Sequence, residues 1–168
     1  LAGNPPEAVQ AELLLAVGER RLFPAKRTVA ALLASPSAKV RTQALRTLRT
    51  IGTPADVSTV LDFMLKSGDD AEREEAEATV AALAQKTANA EGRSTAVRMR
   101  LMTEKDPKVR ASYLGILARI GDPASLPLLR TALSDANPDV YDAAVRGLAA
   151  WPTSAAKDDV LALARDSR

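Results

Sequence analysis

Apolar residues along the chain fall into short blocks whose spacing repeats. Val29, Val60, Val97, Leu129 and Val160 stand at steps of 31, 37, 32 and 31 residues. One helical turn further on stand Leu33, Met64, Leu101, Leu133 and Ala164. A second series of blocks precedes these, each separated from its partner by a turn. Its columns are Leu13, Ala44, Ala76, Tyr113 and Ala144, then Val17, Leu48, Val80, Leu117 and Leu148. A third runs Ile51, Leu83, Ile120 and Trp151, broken by Arg20 in the first block. A fourth, Leu14, Leu45, Leu114 and Val145, has Glu77 as its one misfit. Spacings of three and four place these residues on one helical face. No segment alternates at period two over a useful length, so no strand is expected.

The chain therefore reads as five units of helix, tight turn and returning helix, with bounds near 1–34, 35–66, 67–103, 104–133 and 134–168. The turn residues agree. Ser35-Pro36, Asp106-Pro107 and Asn137-Pro138 have the form of an N-cap followed by proline at the first helical position. Ile51-Gly52-Thr53-Pro54 and Ile120-Gly121-Asp122-Pro123 have the form of a glycine stop and a proline restart. The third unit is longer by about five residues around 85–92, and extra length in a repeat goes to a loop on one edge. One such helix pair cannot bury its apolar stripe, but stacked pairs can, each buried Val or Leu contributing about 1.5–3 kcal/mol. The predicted fold class is all-α, an α-solenoid forming a single repeat domain over 1–168.

The stretch DPKVRASYLGILARIGDP at 106–123, with AKVRTQALRTLRTIGTP at 38–54, resembles the HEAT repeat in the short form of bacterial HEAT-like and phycobilisome-lyase-like proteins. The period is below the roughly 40–47 residues of longer HEAT and armadillo units. The aromatic signature of TPR and the T-P-L-H of ankyrin repeats are missing. The resemblance implies a non-enzymatic scaffold or adaptor that binds a protein or peptide. It also implies that an arginine near the first-helix start and an aspartate in the turn tie neighbouring units. Arg41, Arg73 and Arg110 match the first position and Asp122 the second, while Tyr141 replaces the arginine in the fifth unit.

Composition narrows the chemistry. The chain has no His and no Cys, which removes an imidazole base, thiol nucleophiles and the usual zinc ligands. It also removes the His-Glu pairs of HEAT-like iron hydroxylases. No phosphate loop or nucleophile elbow is present. Asp135-Ala-Asn137-Pro-Asp139 imitates the start of a calcium loop, but Val140 and Arg146 hold the places of its glycine and glutamate, so an N-capped helix is expected. No enzyme activity, cofactor or metal is predicted. No apolar run reaches the roughly 18–20 residues that span a bilayer. A soluble protein, cytoplasmic or periplasmic, is expected, with the compartment and the oligomeric state left open.

A net charge of +2 carries little weight by itself. In a solenoid the second helices line the concave face. Their outward positions should be Arg27, Ser58, Thr95, Pro127 and Asp158, with Ala31, Asp62, Met99, Thr131 and Ala162. One Arg and two Asp make no basic stripe for a nucleic-acid duplex, so nucleic acid stays an alternative only, beside an accessory role in a larger enzyme such as a lyase. Trp151 and Tyr113 fall in core columns, and Phe63 at the edge of the stripe. The candidate partner-binding residues are Arg93, Arg98 and Arg100 on the third unit, with Arg130 on the fourth. They are set against the acidic stretch Asp69, Asp70, Glu72, Glu74, Glu75 and Glu77; the two runs read as solvated charged faces, with the docking of an acidic ligand segment on the arginines as the alternative. Leu13-Leu14-Leu15 predicts apolar surface on both sides of the first helix, as in one section of a longer array.

Overall fold

The computed structural model describes residues 5–165, apart from the side chain of Glu91; residues 1–4 and 166–168 of the first and last repeats lie outside it. The described residues form ten α-helices and no strand. In chain order they fall into the successive couples that the period requires: α1 (Glu7–Glu19) and α2 (Lys26–Ala31), α3 (Ala38–Ile51) and α4 (Val57–Lys66), α5 (Asp70–Gln85) and α6 (Thr95–Thr103). Then come α7 (Pro107–Ile120) with α8 (Leu126–Ala132) and α9 (Pro138–Ala149) with α10 (Lys157–Leu163). A short 3-10 turn precedes each second helix. The protein is thus an all-α, solenoid-type array of helix pairs, with the extra residues of the third repeat in the loop between α5 and α6. Its residues gather into two compact units, Leu1–Leu83 and Ala84–Arg168.

Local chemistry sets the helix ends. The Asp106 carboxylate accepts from Lys108 N at 2.8 Å, and the Asn137 carbonyl oxygen accepts from Asp139 N at 3.0 Å. These satisfy amides that the first helical turn leaves unpaired. The start of α3 differs from expectation. Ser37, not Ser35, caps it, through Val40 N, because the Ser35 hydroxyl accepts from Ser37 N and the Ser35 carbonyl receives Arg41. Gly121 ends α7 in the left-handed region at φ 67, where a Cβ is strained. Gly52 ends α3 with φ −74. Arg21, in the same repeat position, itself takes φ 50 after α1.

In the first unit α3 packs on α1 and α2. Ala44, Leu45 and Leu48 are inaccessible, as are Val60 and Leu61 of α4. The Thr47 hydroxyl, buried, donates to the carbonyl of Leu14 one repeat earlier at 2.9 Å. Thr79 does the same to Leu45 at 3.3 Å. In the second unit α9 packs on α7 and α8, with Leu114, Leu117, Leu129 and Leu148 buried. Gly147 occupies the column of Thr47 and Thr79. A Cβ there would lie 2.8 Å from Leu129 Cδ2 and 3.0 Å from Ala118 Cβ, so only glycine fits without displacement.

The column prediction holds where a neighbour exists and fails where none does. Val60, Val97 and Leu129 have no accessible surface, and Tyr113 and Trp151 are buried as expected. Val160 is half-buried and Ala164 exposed, because no described helix packs over the outer side of α10. Leu101 and Leu133 are also only half-buried; the first borders an open groove and the second follows the last turn of α8. Leu13 is 56% exposed and Leu15 is exposed as well, on either side of buried Leu14. Apolar surface on both sides of α1 is what the leucine triplet predicts, but it removes Leu13 from the core column.

Candidate protein-interaction surface

The ties between repeats decide which charged groups are available to a partner. Arg41 reaches Glu72 of the following repeat, with Nε to Oε1 at 2.9 Å and Nη2 to Oε1 at 2.6 Å. Its Nη1 donates to the carbonyls of Ser35 and Pro36. Arg110 pairs with Asp135 of the next repeat at 2.7 Å. Arg73 instead donates to the Ser67 carbonyl of its own repeat. Asp122 is buried and accepts from the hydroxyl and amide of Ser94. The tying role implied by the resemblance is therefore present at Arg41, Arg110 and Asp122, and takes a local form at Arg73. Asp135, which begins the calcium-loop imitation, is engaged by Arg110 and by Asn137 N.

Two acids of α5 serve the first unit's own helices. Glu72 grips Arg41, and Glu75 binds both Arg46 and Arg49 on α3. This acidic face is a seam between two first helices. The turn before α4 holds a smaller network. Partial burial works against ionisation of Asp56, but hydrogen bonds from the Thr53 amide at 2.7 Å and hydroxyl at 2.8 Å, with Lys26 Nζ at 3.1 Å, outweigh it. The carboxyl is held below its ordinary value of 3.8. Asp135 is lowered likewise, by the Asn137 amide first and then Arg110. A carboxyl depressed on folding stabilises above its unfolded value, and that contribution disappears as pH falls through the folded one. Urea midpoints should thus stay level down to about pH 5 and drop below about pH 4. The double substitution Asp56→Asn/Asp135→Asn should flatten that acid limb; an unaltered limb would place the acid sensitivity elsewhere.

All ten outward positions expected on the second helices are exposed. Between successive second helices each unit has a groove, and the two occupy the same repeat register. In the first unit it measures about 620 Å³ and is bordered by Ala34, Thr59, Asp62, Phe63 and Arg41. In the second it measures about 300 Å³, with Met102, Leu128, Thr131, Ala132 and Arg110 in the matching places. The arginine in each floor is the one that ties the repeats.

The four candidate arginines differ in availability. Arg130 makes a two-pronged pair with Asp159 on α10, Nε to Oδ1 at 2.9 Å and Nη2 to Oδ2 at 2.8 Å. This pair holds its guanidinium above the ordinary range and leaves it little for a partner. Arg93 turns to the Thr87 carbonyl in the loop, at 3.1 Å. Arg98 and Arg100 lie on α6, where Met99 and Met102 are 66% and 78% exposed. The Nε of Arg98 is buried with no hydrogen-bond partner among the described residues. Met102 and Leu128 border the second groove without having stood out in the sequence. The readable signal was an apolar side chain lying off the core columns.

No helix of the described residues is long and apolar enough to cross a membrane. A search among curated proteins gave no match. A family model for HEAT repeats matches residues 1–81 and 95–168, nearly the whole chain. Such repeats generally serve as protein-interaction scaffolds. With helix pairs, inter-repeat arginine ties and this match in agreement, the chain belongs to the HEAT-repeat family.

Proposed function

We propose that the chain is a non-catalytic protein- or peptide-binding scaffold that presents the outer faces of its second helices. The observation that carries this reading is the uniform exposure of the ten outward positions on α2, α4, α6, α8 and α10, above cores that are fully packed. A partner meeting a platform already folded loses less ordering free energy on binding. The chain has no His or Cys with which to assemble the commoner catalytic centres, and its tying arginines are occupied by structural partners. Of the four candidate arginines, Arg98 on α6 supports this reading best, beside two exposed methionines.

Photo-crosslinking from defined positions tests the reading. A benzophenone side chain at Met99 or Thr131, on the outer face, should capture proteins from a host lysate. The same group at Arg146, exposed on the first helix α9, should capture few. Capture from α9 alone, or of nucleic acid from the α6 positions, would overturn the assignment.

A further inference from the structure

The turn between α1 and α2 breaks the pattern of its counterparts. One repeat has Ile51, Gly52, Thr53 and Pro54 there, and another has Ile120, Gly121, Asp122 and Pro123; this turn carries Arg20, Arg21, Leu22 and Phe23. Each exchange gives up something the fold uses. Ile51 and Ile120 are buried, whereas Arg20 is exposed. Arg21 takes φ 50, and no other non-glycine among the described residues has a positive φ. Thr53 binds Asp56 through its amide and hydroxyl, and Asp122 accepts from Ala124 N, but Leu22 forms no side-chain cap. Strain and broken local rules without a gain in packing mark positions shaped by something besides folding.

The run offers charge and apolar surface instead. Residues 20–24 are all exposed, with Leu22 at 45% and Phe23 at 58%, and so is Arg27. From Arg20 to Ala55 the chain has no acidic residue. Arg41, Arg46 and Arg49 are taken by acids of α5, and Lys26 by Asp56. No hydrogen bond or ion pair to a described residue engages the side chain of Arg20, Arg21 or Arg27. Glu19 is the one carboxylate next to the run in sequence, so a positive excess remains. Leu22 and Phe23 border neither groove between second helices; they form an apolar tip with cations on both sides.

A folded partner would need a pocket shaped to that tip, and leucine offers nucleic acid no ring to stack on. A bilayer interface needs neither. It takes in a small apolar group while guanidinium heads stay at the level of the lipid phosphates. Each cation close to an anionic surface tightens binding about fivefold. We propose that the α1–α2 turn is a peripheral membrane contact. Leu22 and Phe23 enter the headgroup region of an anionic bilayer, and Arg20, Arg21 and Arg27 bind its phosphates. This goes beyond the scaffold reading and does not depend on it.

Vesicle cosedimentation tests the contact. Vesicles of phosphatidylcholine and phosphatidylserine in equal amounts should pull the chain down at low salt and release it as salt rises. Phosphatidylcholine alone should leave it in solution. Arg20→Glu/Arg27→Glu should weaken binding about twentyfold or more, and Leu22→Ser/Phe23→Ser about tenfold. Arg21→Gly restores the residue that suits the backbone, so it should weaken binding about fivefold while the urea midpoint stays level or rises. Circular dichroism checks that each variant folds. The chain has no Cys, so Phe23→Cys carries a single polarity-sensitive dye whose emission should shift to the blue on anionic vesicles. The same dye at Arg146→Cys, exposed on α9, should not shift. No binding, equal binding to neutral and anionic vesicles, or binding indifferent to both double variants overturns the contact. So does a polyglutamate peptide or a single-stranded oligonucleotide that binds through Arg20 and Arg27 where vesicles do not. None of these outcomes bears on the second-helix face, which the crosslinking tests separately.

Discussion

Tyr113→Ala is expected to destabilise the protein by about 4 kcal/mol, whereas Leu13→Ala, in the same repeat column, should cost about 0.5 kcal/mol or less. Tyr113 is 1% exposed in the second unit. Its ring fills space that alanine leaves empty, and the loss combines transfer free energy with an unfilled cavity. Leu13 lies largely in water, so its truncation removes little buried surface. Urea unfolding of the two variants, followed by circular dichroism, measures both. Equal losses would mean that the first helix is covered on the side where Leu13 is exposed.

Gly121→Ala is expected to cost about 3 kcal/mol, from left-handed strain of about 1–2 kcal/mol and from overpacking. The two terms can be separated. Gly121 has φ 67, and a Cβ there would lie 2.2 Å from Pro152 Cγ and 3.0 Å from its Cδ. Pro152→Ala removes both atoms. The double variant should thus recover the packing term and retain only the strain, leaving a coupling of about 1–2 kcal/mol between residues in contact. Additive losses in the cycle would show that the turn after α7 relaxes away from Pro152.

The architecture was legible because burial at Val60, Val97, Leu129, Leu117 and Leu148 follows directly from helical spacing. A residue at the same spacing is buried only if another helix lies over it. That is why Leu13, Val160 and Ala164 escape a rule that holds elsewhere. The ends of helices were legible at Asp106, Asn137 and Gly121, where one side chain or one φ value decides the matter. They were not at Ser35, where two nearby serines compete for the same role.

The candidate surface was harder to read. Arg98 and Arg130 look alike in the sequence, since nothing local distinguishes them. The difference lies about thirty residues downstream, where Asp159 pairs with Arg130 while Leu128 stands at the matching position after Arg98. The partners of two acidic residues of α5 were likewise hidden in the sequence. Glu72 and Glu75 reach back to α3, a pairing that needs the register of neighbouring first helices. Charge density along the chain shows that such groups exist; alignment of whole repeats shows which ones are already taken.

The column of Thr47, Thr79 and Gly147 has a mechanical meaning. Threonine keeps room for a hydroxyl that clasps the adjacent backbone, while glycine lets two rods touch with nothing between them. The gap between neighbouring rods is thereby set locally at these three positions, so exchanging their residues would change it there without disturbing the apolar interior elsewhere.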